Sequence, residues 1–358
     1  MRRIPLFLLL VAVCATPHII PIEVSDVTKA PESTKVPDAF VRVENGHLVL
    51  DGQPVRFFGV NVYSLASQPA PKFRCGRVYE DAEVTQTLEE IKALVPPPFL
   101  PAVRTMMFRN FIGPERDWSR YDRIFAEARR LGIKLIPYLD CHWGSCGDHV
   151  KRTPEWYREG YRRQPDDGSL SQREFVREAA ARYRDEPALL MWQVINEGQS
   201  RDAEALYSYA ADLSGVIKQS DSNHLVSFGT IGDDRFHPGA QGRSYERLHR
   251  LTTVDIVESH DYPIQRWSRA LWRPEPLANC LKVAQLTGKP CMMGELGMIA
   301  ETPAQKAARA SILTERVRLF FRSGAQIVLI WSYRASDWQR DFDPADPLYA
   351  ALRTASLD

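Results

Sequence analysis

The chain has 358 residues, enough for one large domain or two ordinary ones and for a sizeable buried core. Its 46 Lys and Arg nearly cancel 45 Asp and Glu, leaving a net charge of +1, so neither nucleic acid nor an anionic membrane surface is indicated as a partner. Eight Trp and thirteen Tyr suit stacking against sugars, although aromatic side chains serve cores first.

At the N-terminus, Arg2-Arg3 precedes the apolar stretch Ile4 to Cys14, and Val13-Cys14-Ala15 supplies small residues for cleavage after Ala15. This predicts a secretory signal peptide over residues 1–15, too short to span a membrane comfortably. Cys14 raises a lipid-anchor alternative, but Val13 stands where a lipobox wants Gly, Ala or Ser. Residues 16–38 are rich in Pro, Ser, Thr and Lys without apolar periodicity and are expected to form a disordered tether. The remainder, 39–358, is expected to be one domain, since no internal repeat or second linker follows.

Phe40 to Val55 alternates and carries Asn45-Gly46 and Asp51-Gly52, two turn signals that predict a small β-hairpin capping the bottom of the domain. Strands are expected at Phe57–Val62, Ala102–Phe108, Lys134–Leu139, Leu189–Ile195, His224–Phe228, Val254–Ser259, Pro290–Gly294 and Ile327–Trp331. Amphipathic helices are expected at Val84–Leu94, Ser119–Leu131, Gln172–Tyr183, Asp202–Lys218, Ser244–Leu251, Pro276–Leu286 and Pro303–Phe321, with a last one near Pro347–Thr354. Eight strands, each followed by a helix, predict a single (β/α)8 TIM barrel. A doubly wound open sheet is the rival, but no Gly-rich phosphate loop follows any strand.

Removal of a signal peptide would leave five cysteines, Cys75, Cys141, Cys146, Cys280 and Cys291, an odd number in an export setting that permits disulfides. A Cys280–Cys291 bond would tie a helix to the next strand. Cys141, His142, Cys146 and His149 match no common zinc spacing, so no metal site is expected there.

In a barrel, chemistry gathers at the C-terminal ends of the strands. Two apolar runs end there in a lone carboxylate: Trp192-Gln-Val-Ile-Asn-Glu197 and Met292-Met-Gly-Glu295. A single acid in this place is usually an ion pair or a cap. Here Arg104, His142, Asn196, His260, Tyr262 and Trp331 fall at the same ends of other strands, and two acids on different strands suffice to cleave a glycosidic bond.

With this set, residues 40 to 350 resemble the family 5 glycoside hydrolases of the large retaining (β/α)8 clan. The matching motifs are Asn196-Glu197, Glu295, Arg104, His142, His260-Asp261-Tyr262 and Trp331. Phe40-Val-Arg-Val43, Tyr183-Arg-Asp-Glu-Pro187 and His224-Leu-Val226 resemble the endo-β-1,4-mannanase branch. The departures are Gly198 where Asn-Glu-Pro is usual, Gly294-Glu295-Leu296-Gly297 in a cellulase-like form, and His142 where many mannanases carry Asn. The resemblance implies an exported, retaining endo-acting β-1,4-glycan hydrolase, with mannan slightly ahead of cellulose or β-glucan. Glu295 would be the nucleophile and Glu197 the acid/base. Arg104 and Tyr262 would hold Glu295, Asn196 would contact the sugar 2-hydroxyl, His142 and His260 would bind hydroxyls or tune the acid, and Trp331 would floor the first glycone subsite.

Trp143, Trp156, Trp267, Trp272 and Trp338 lie on the connecting loops and are candidates for outer subsites, or for anchors of their own loops. The expected partner is a polysaccharide or oligosaccharide met by a monomer, with no cofactor, since two side-chain acids supply the chemistry. The alternatives are an exo-β-glycosidase or transglycosylase on the same barrel, and a non-catalytic carbohydrate-binding barrel.

Overall fold

The computed structural model describes residues 40–69, 75–147, 149–232, 237–266, 269–335 and 339–357. The expected signal peptide, the Cys14 anchor and the whole of the tether lie outside the described residues. Eight parallel strands form the central sheet: β1 (Phe57–Asn61), β2 (Leu100–Met106), β3 (Lys134–Tyr138), β4 (Met191–Gln193), β5 (Leu225–Ser227), β6 (Val257–Asp261), β7 (Cys291–Leu296) and β8 (Ile327–Ile330). Each strand except β5 pairs with its successor and β8 pairs with β1, while a single parallel bridge from Ser227 to Ile256 joins β5 to the entry of β6. The sheet is thus a closed (β/α)8 barrel, as the alternation of elements predicts.

The helices of the outer ring are α1 (Asp81–Leu94), α2 (Ser119–Leu131), α3 (Gln172–Tyr183), α4 (Ala203–Ser220), α5 (Arg243–His249), α6 (Glu275–Thr287), α7 (Pro303–Ser323) and α8 (Pro347–Thr354). Their starts follow from local chemistry. Ser171 and Thr302 each close a capping box with the residue at N3, Glu174 and Gln305, and Pro303 sits at the first helical position, where its missing N–H costs nothing. Apolar side chains on the inner helix faces, such as Leu88, Ile124, Phe175, Leu213 and Phe320, bury against the outward-facing residues of the strands. A second apolar cluster fills the barrel interior with Phe57, Ala102, Ile136, Met191, Ile256, Met292 and Ile327.

The segment before β1 is a three-stranded meander, Arg42–Glu44, His47–Leu50 and Gln53–Pro54, rather than the hairpin expected. Asn45-Gly46 and Asp51-Gly52 each turn with two consecutive positive φ values, so the second signal adds a third strand instead of ending the unit. The Gln326 side chain, just before β8, accepts from Leu48 N and donates to Gly46 O, both at 2.7 Å. With Val41 and Leu48 in the interior cluster, this clamps the meander across the N-terminal mouth of the barrel.

Every strand differs by one to three residues, at one end or both, from the sequence expectation, and two of the shifts bear on the site. The stretch Val254–Ile256, expected as strand, follows the turn after α5 and is held by Asp255 and Ile256 N, which both donate to Val226 O, so regular β6 begins at Val257 and runs through His260. β7 continues through Glu295, with a register irregularity between Met293 and Glu295 at the point where the chain leaves regular pairing.

Among the described residues two disulfides are present, Cys280–Cys291 between α6 and β7, the pairing considered from the sequence, and Cys75–Cys146 between the loops after β1 and β3. By loop-closure entropy, their sequence separations of 11 and 71 correspond to about 3 and 4 kcal/mol of stabilisation. Cys141 is a buried free thiol.

Candidate active site

Arg104 organises the top of the barrel. It sits on β2 with no exposed surface, a placement tolerable only because every face of its guanidinium meets an acceptor or a π-face. Nη1 donates to Glu295 Oε1 and Asn61 Oδ1, both at 2.8 Å, Nε donates to Gln193 Oε1 at 2.8 Å, and Nη2 donates to Asn196 Oδ1. The guanidinium carbon lies 4.3 Å from the ring centre of Tyr138. One side chain therefore fixes residues from β1, β4, the end of β4 and β7.

The two carboxylates singled out in the sequence come together. An oxygen of Glu197, an oxygen of Glu295 and a ring nitrogen of His260 all lie within 4.8 Å of one another. Such a trio has the spacing of a cation site, yet each of these groups is already engaged by protein partners. Glu295 accepts from Arg104 through Oε1 and from Tyr262 OH through Oε2 at 2.5 Å. Glu197 accepts from the indole N–H of Trp143 at 2.6 Å and pairs with His260 Nδ1 at 2.9 Å.

Glu197 itself has φ 54°, a left-handed conformation costly for a residue that carries a Cβ. The next residue, Gly198, packs so closely that a Cβ would come within 2.8 Å of Ile195 Cγ2 and 3.0 Å of Phe228. That contact accounts for glycine where the family usually has proline.

Charges in this cluster are set by burial against pairing. Burial holds the Glu295 carboxyl above its ordinary value despite the pull of His260 and Arg104. Burial acts the same way on Glu197 but is outweighed by the hydrogen bonds from His260 and Trp143, so Glu197 lies below its ordinary value. Burial opposes a charge on His260 too, yet Glu295, Glu197 and Glu258 together push it up to about 10. His260 Nδ1 and Glu197 share one hydrogen bond, and the carboxylates around the imidazole favour its protonated form. Burial and the adjacent Glu295 raise the Tyr262 phenol far above its ordinary value, so it remains a donor.

These groups open into a cavity of about 550 Å³ lined among others by Tyr63, Trp143, Asn196, Tyr262, Trp331 and the Cys75–Cys146 disulfide. Trp331 stacks on Tyr63 with ring centres 5.4 Å apart and planes 7° apart, forming an aromatic slab at one side. Asn196 donates weakly to Cys141 Sγ at 3.7 Å, and burial pushes that thiol up to about 11, so it stays protonated.

The remaining sequence candidates divide. His142 is not among the cavity-lining residues: it stands behind Trp143, edge-on at 4.9 Å, with Nδ1 bonded to Tyr157 OH at 2.9 Å. Burial lowers it to about 4, so it is a neutral prop for Trp143 rather than a sugar contact. Trp143 lines the cavity and is 40% exposed. Trp156 packs against Tyr157, Tyr161 and Tyr209 beneath the Arg152 guanidinium, and thus anchors its loop onto the barrel. Trp272 is likewise half-buried under Arg316, 4.0 Å from the ring centre. Trp267 and Trp338 lie outside the described residues. Of the Cys/His group after β3, Cys146 is in a disulfide and Cys141 borders Asn196.

Asn61, Tyr63, Tyr138, Gln193 and Glu258 belong to the site and were not singled out in the sequence. Neither Gln193 nor Glu258 stood out: Gln193 ends the short strand β4, and Glu258 lies in β6, where Ser259, His260 and Asp261 are polar as well.

Residues 173–321 match the family described as GH family 5 beta-mannosidase-like. Among curated proteins, the chain is 26% identical over 236 residues to a probable mannan endo-1,4-beta-mannosidase F of Aspergillus flavus, covering 60% of this chain and 48% of that one. It is 24% identical over 372 residues to mannan endo-1,4-beta-mannosidase 3 of Arabidopsis thaliana, covering 88% and 86%. The chain spans about half the length of several of the fungal relatives it matches. Among solved structures, the endo-1,4-beta-mannanase of Rhizomucor miehei superposes with a TM-score of 0.68 at 20% identity over 88% of this chain and 97% of that one. The endo-beta-1,4-mannanase of Thermotoga petrophila gives 0.66 at 19% identity over 85% and 76%. At such identities the superpositions speak for the fold, and the match to the GH family 5 beta-mannosidase-like family covers residues 173–321 of the chain.

Proposed function

We propose that the protein is an exported endo-acting β-1,4-mannan hydrolase that works by double displacement with net retention. The observation that carries this reading is the approach of Glu197 and Glu295 to within 4.8 Å in an open cavity at the C-terminal mouth of the barrel. That distance suits the ~5–5.5 Å separation of retaining glycosidases and leaves no room for the water that inverting enzymes hold between carboxyls ~6.5–9.5 Å apart.

Glu295, paired with Arg104 and oriented by Tyr262, attacks the anomeric carbon. Glu197 gives a proton to the departing oxygen and later removes one from the incoming water. Asn196, its carbonyl held by Arg104 and its amide 3.7 Å from Cys141 Sγ, lines the cavity and would meet a sugar 2-hydroxyl there. The Tyr63–Trp331 slab supplies an apolar face for a pyranose ring. Preference for mannan rests on the names of the relatives. Export is supported by the N-terminal pattern and by two disulfides, and no helix among the described residues is long and apolar enough to cross a membrane.

An exo-acting reading draws on one feature, the Cys75–Cys146 bridge in the cavity wall, which would shorten one arm of the cleft. Incubation with mannan, glucomannan, carboxymethylcellulose and mixed-linkage glucan separates the two. The proposal expects mannan-type substrates to be cleaved fastest, with a spread of oligosaccharides from the earliest times. Monosaccharide or disaccharide alone from the start would replace it with the exo reading, and preference for a glucan would overturn the choice of sugar.

A further inference from the structure

A third carboxylate, Glu258, lies wholly buried within the barrel, two residues before His260 on the same face of β6. Its oxygens accept from Gln193 Nε2 at 2.6 Å and from Ser227 Oγ, and Oε1 pairs with His260 Nε2 at 3.3 Å. Gln193 in turn accepts from Arg104 through its carbonyl oxygen, so the amide orientation is fixed. Gly294 on β7 makes room for the pair: a Cβ there would come within 2.3 Å of Glu258 Oε1 and 3.2 Å of His260 Nε2.

His260 is therefore held at both nitrogens, Nε2 by Glu258 and Nδ1 by Glu197. The other charged groups facing this column are Glu295, 3.6 Å from Nδ1, and Arg104, bonded to Glu295 and Gln193. His249 on α5 accepts from Glu258 N and is lowered to about 4 by burial, so it adds no charge.

Resting on the glycosidase reading above, we propose that Glu258 is a positioning residue that fixes the His260 tautomer, so that the imidazole keeps a proton on Nε2 and passes the one on Nδ1 to Glu197 when substrate fills the cleft. A buried acceptor at Nε2 makes that N–H permanent, which leaves Nδ1 as the exchangeable site. In the transfer the Nδ1–H bond breaks, the Glu197 O–H bond forms, and imidazolium becomes neutral imidazole while Glu258 stays ionised. The proton count of the cluster does not change. Glu197 then loses this proton to the departing oxygen as the glycosidic bond breaks, and regains one from the attacking water in the second step. The inference explains how an acid held ionised in the empty site can act as a proton donor. Burial disfavours the charge on Glu258, but His260, Arg104 and Ser227 keep its carboxyl below the ordinary value, as this role requires.

The test compares wild type with Glu258→Gln on two aryl β-glycosides of whichever sugar the wild type cleaves. One has a leaving group that needs no proton, such as 2,4-dinitrophenolate, and the other has a poor one, such as phenolate. With the variant, kcat/KM for the poor leaving group is expected to fall on the order of 10²-fold or more, and far less for the activated one. The alkaline limb of the pH profile should move down by about one to three units, because the proton needed on the His260–Glu197 pair is lost at lower pH without the Glu258 charge.

Equal losses on both substrates with an unshifted profile, or no loss at all, would overturn the inference. Nitrogen-15 NMR of His260 reads the same claim without turnover and serves even if the variant does not fold. Wild type should show both ring nitrogens protonated at pH 7.5, and a neutral ring would overturn it. A wild type that cleaves no β-glycoside while His260 is doubly protonated would refute the glycosidase reading and leave the buried pairing supported.

Discussion

Glu295→Ala is expected to abolish turnover on every substrate, by roughly 10⁵-fold or about 7 kcal/mol of barrier, because no other group can form the covalent intermediate. Glu197→Ala should behave differently. Its loss on polysaccharide is expected to be on the order of 10³-fold, while an activated aryl glycoside still glycosylates Glu295, since that leaving group needs no acid. Azide, an anionic nucleophile that needs no base, should then restore release and yield a glycosyl azide of retained configuration. Steady-state rates with the two substrates and two variants, with and without azide, check the assignment. A Glu197 variant as dead as Glu295→Ala on the activated substrate, or rescued to the opposite anomer, would reverse the roles.

Arg104 carries the second large effect. Its substitution by Met removes the cation while leaving Glu295 in a site with 5% side-chain exposure, and it strips donors from Asn61, Gln193 and Asn196. Breaking a buried pair in this way costs about 3–5 kcal/mol, which for a domain of this size lowers Tm by roughly 10 °C. Activity should fall on the order of 10²–10³-fold beyond any loss of folded protein, because Glu295 loses both its orientation and its counter-charge. Lysine keeps the charge but offers one compact donor head in place of a planar fork, so Arg104→Lys should recover part of the stability and little of the activity. Thermal melts and rates measured on folded material separate the two effects. An Arg104→Met protein as stable and active as wild type would mean that the guanidinium network does not hold the site.

The barrel was legible because its strands are buried on both faces and appear as apolar runs, while the intervening stretches repeat at helical spacing. Glu197 and Glu295 stood out for the same reason, as lone acids closing such runs. Glu258 and Gln193 did not, because their partners converge from β2, β4, β5, β6 and β7, a closeness that only ring closure of the sheet creates. The Cys75–Cys146 pair was hidden similarly: its halves lie on loops 71 positions apart that meet over the cavity. Cys280 and Cys291, on a helix and the strand that follows it, were foreseeable from chain order. Trp156 and Trp272 show the limit of reading aromatics on loops as sugar platforms, since both stack beneath arginines and pin their own segments. Trp143 instead reaches the cavity because its N–H has a carboxylate to bond, Glu197, at the cavity floor.

The most direct measurement is mechanism-based labelling with a 2-deoxy-2-fluoro glycosyl fluoride, followed by proteolysis and mass mapping of the adduct. The fluorine slows both steps, and the fluoride leaving group lets the first outpace the second, so the covalent intermediate accumulates. The account predicts one sugar per chain, attached to Glu295 within Met292–Gly297. A label on Glu197 or another side chain, or a fully active enzyme that turns over its natural substrate yet never takes up the label, would contradict it.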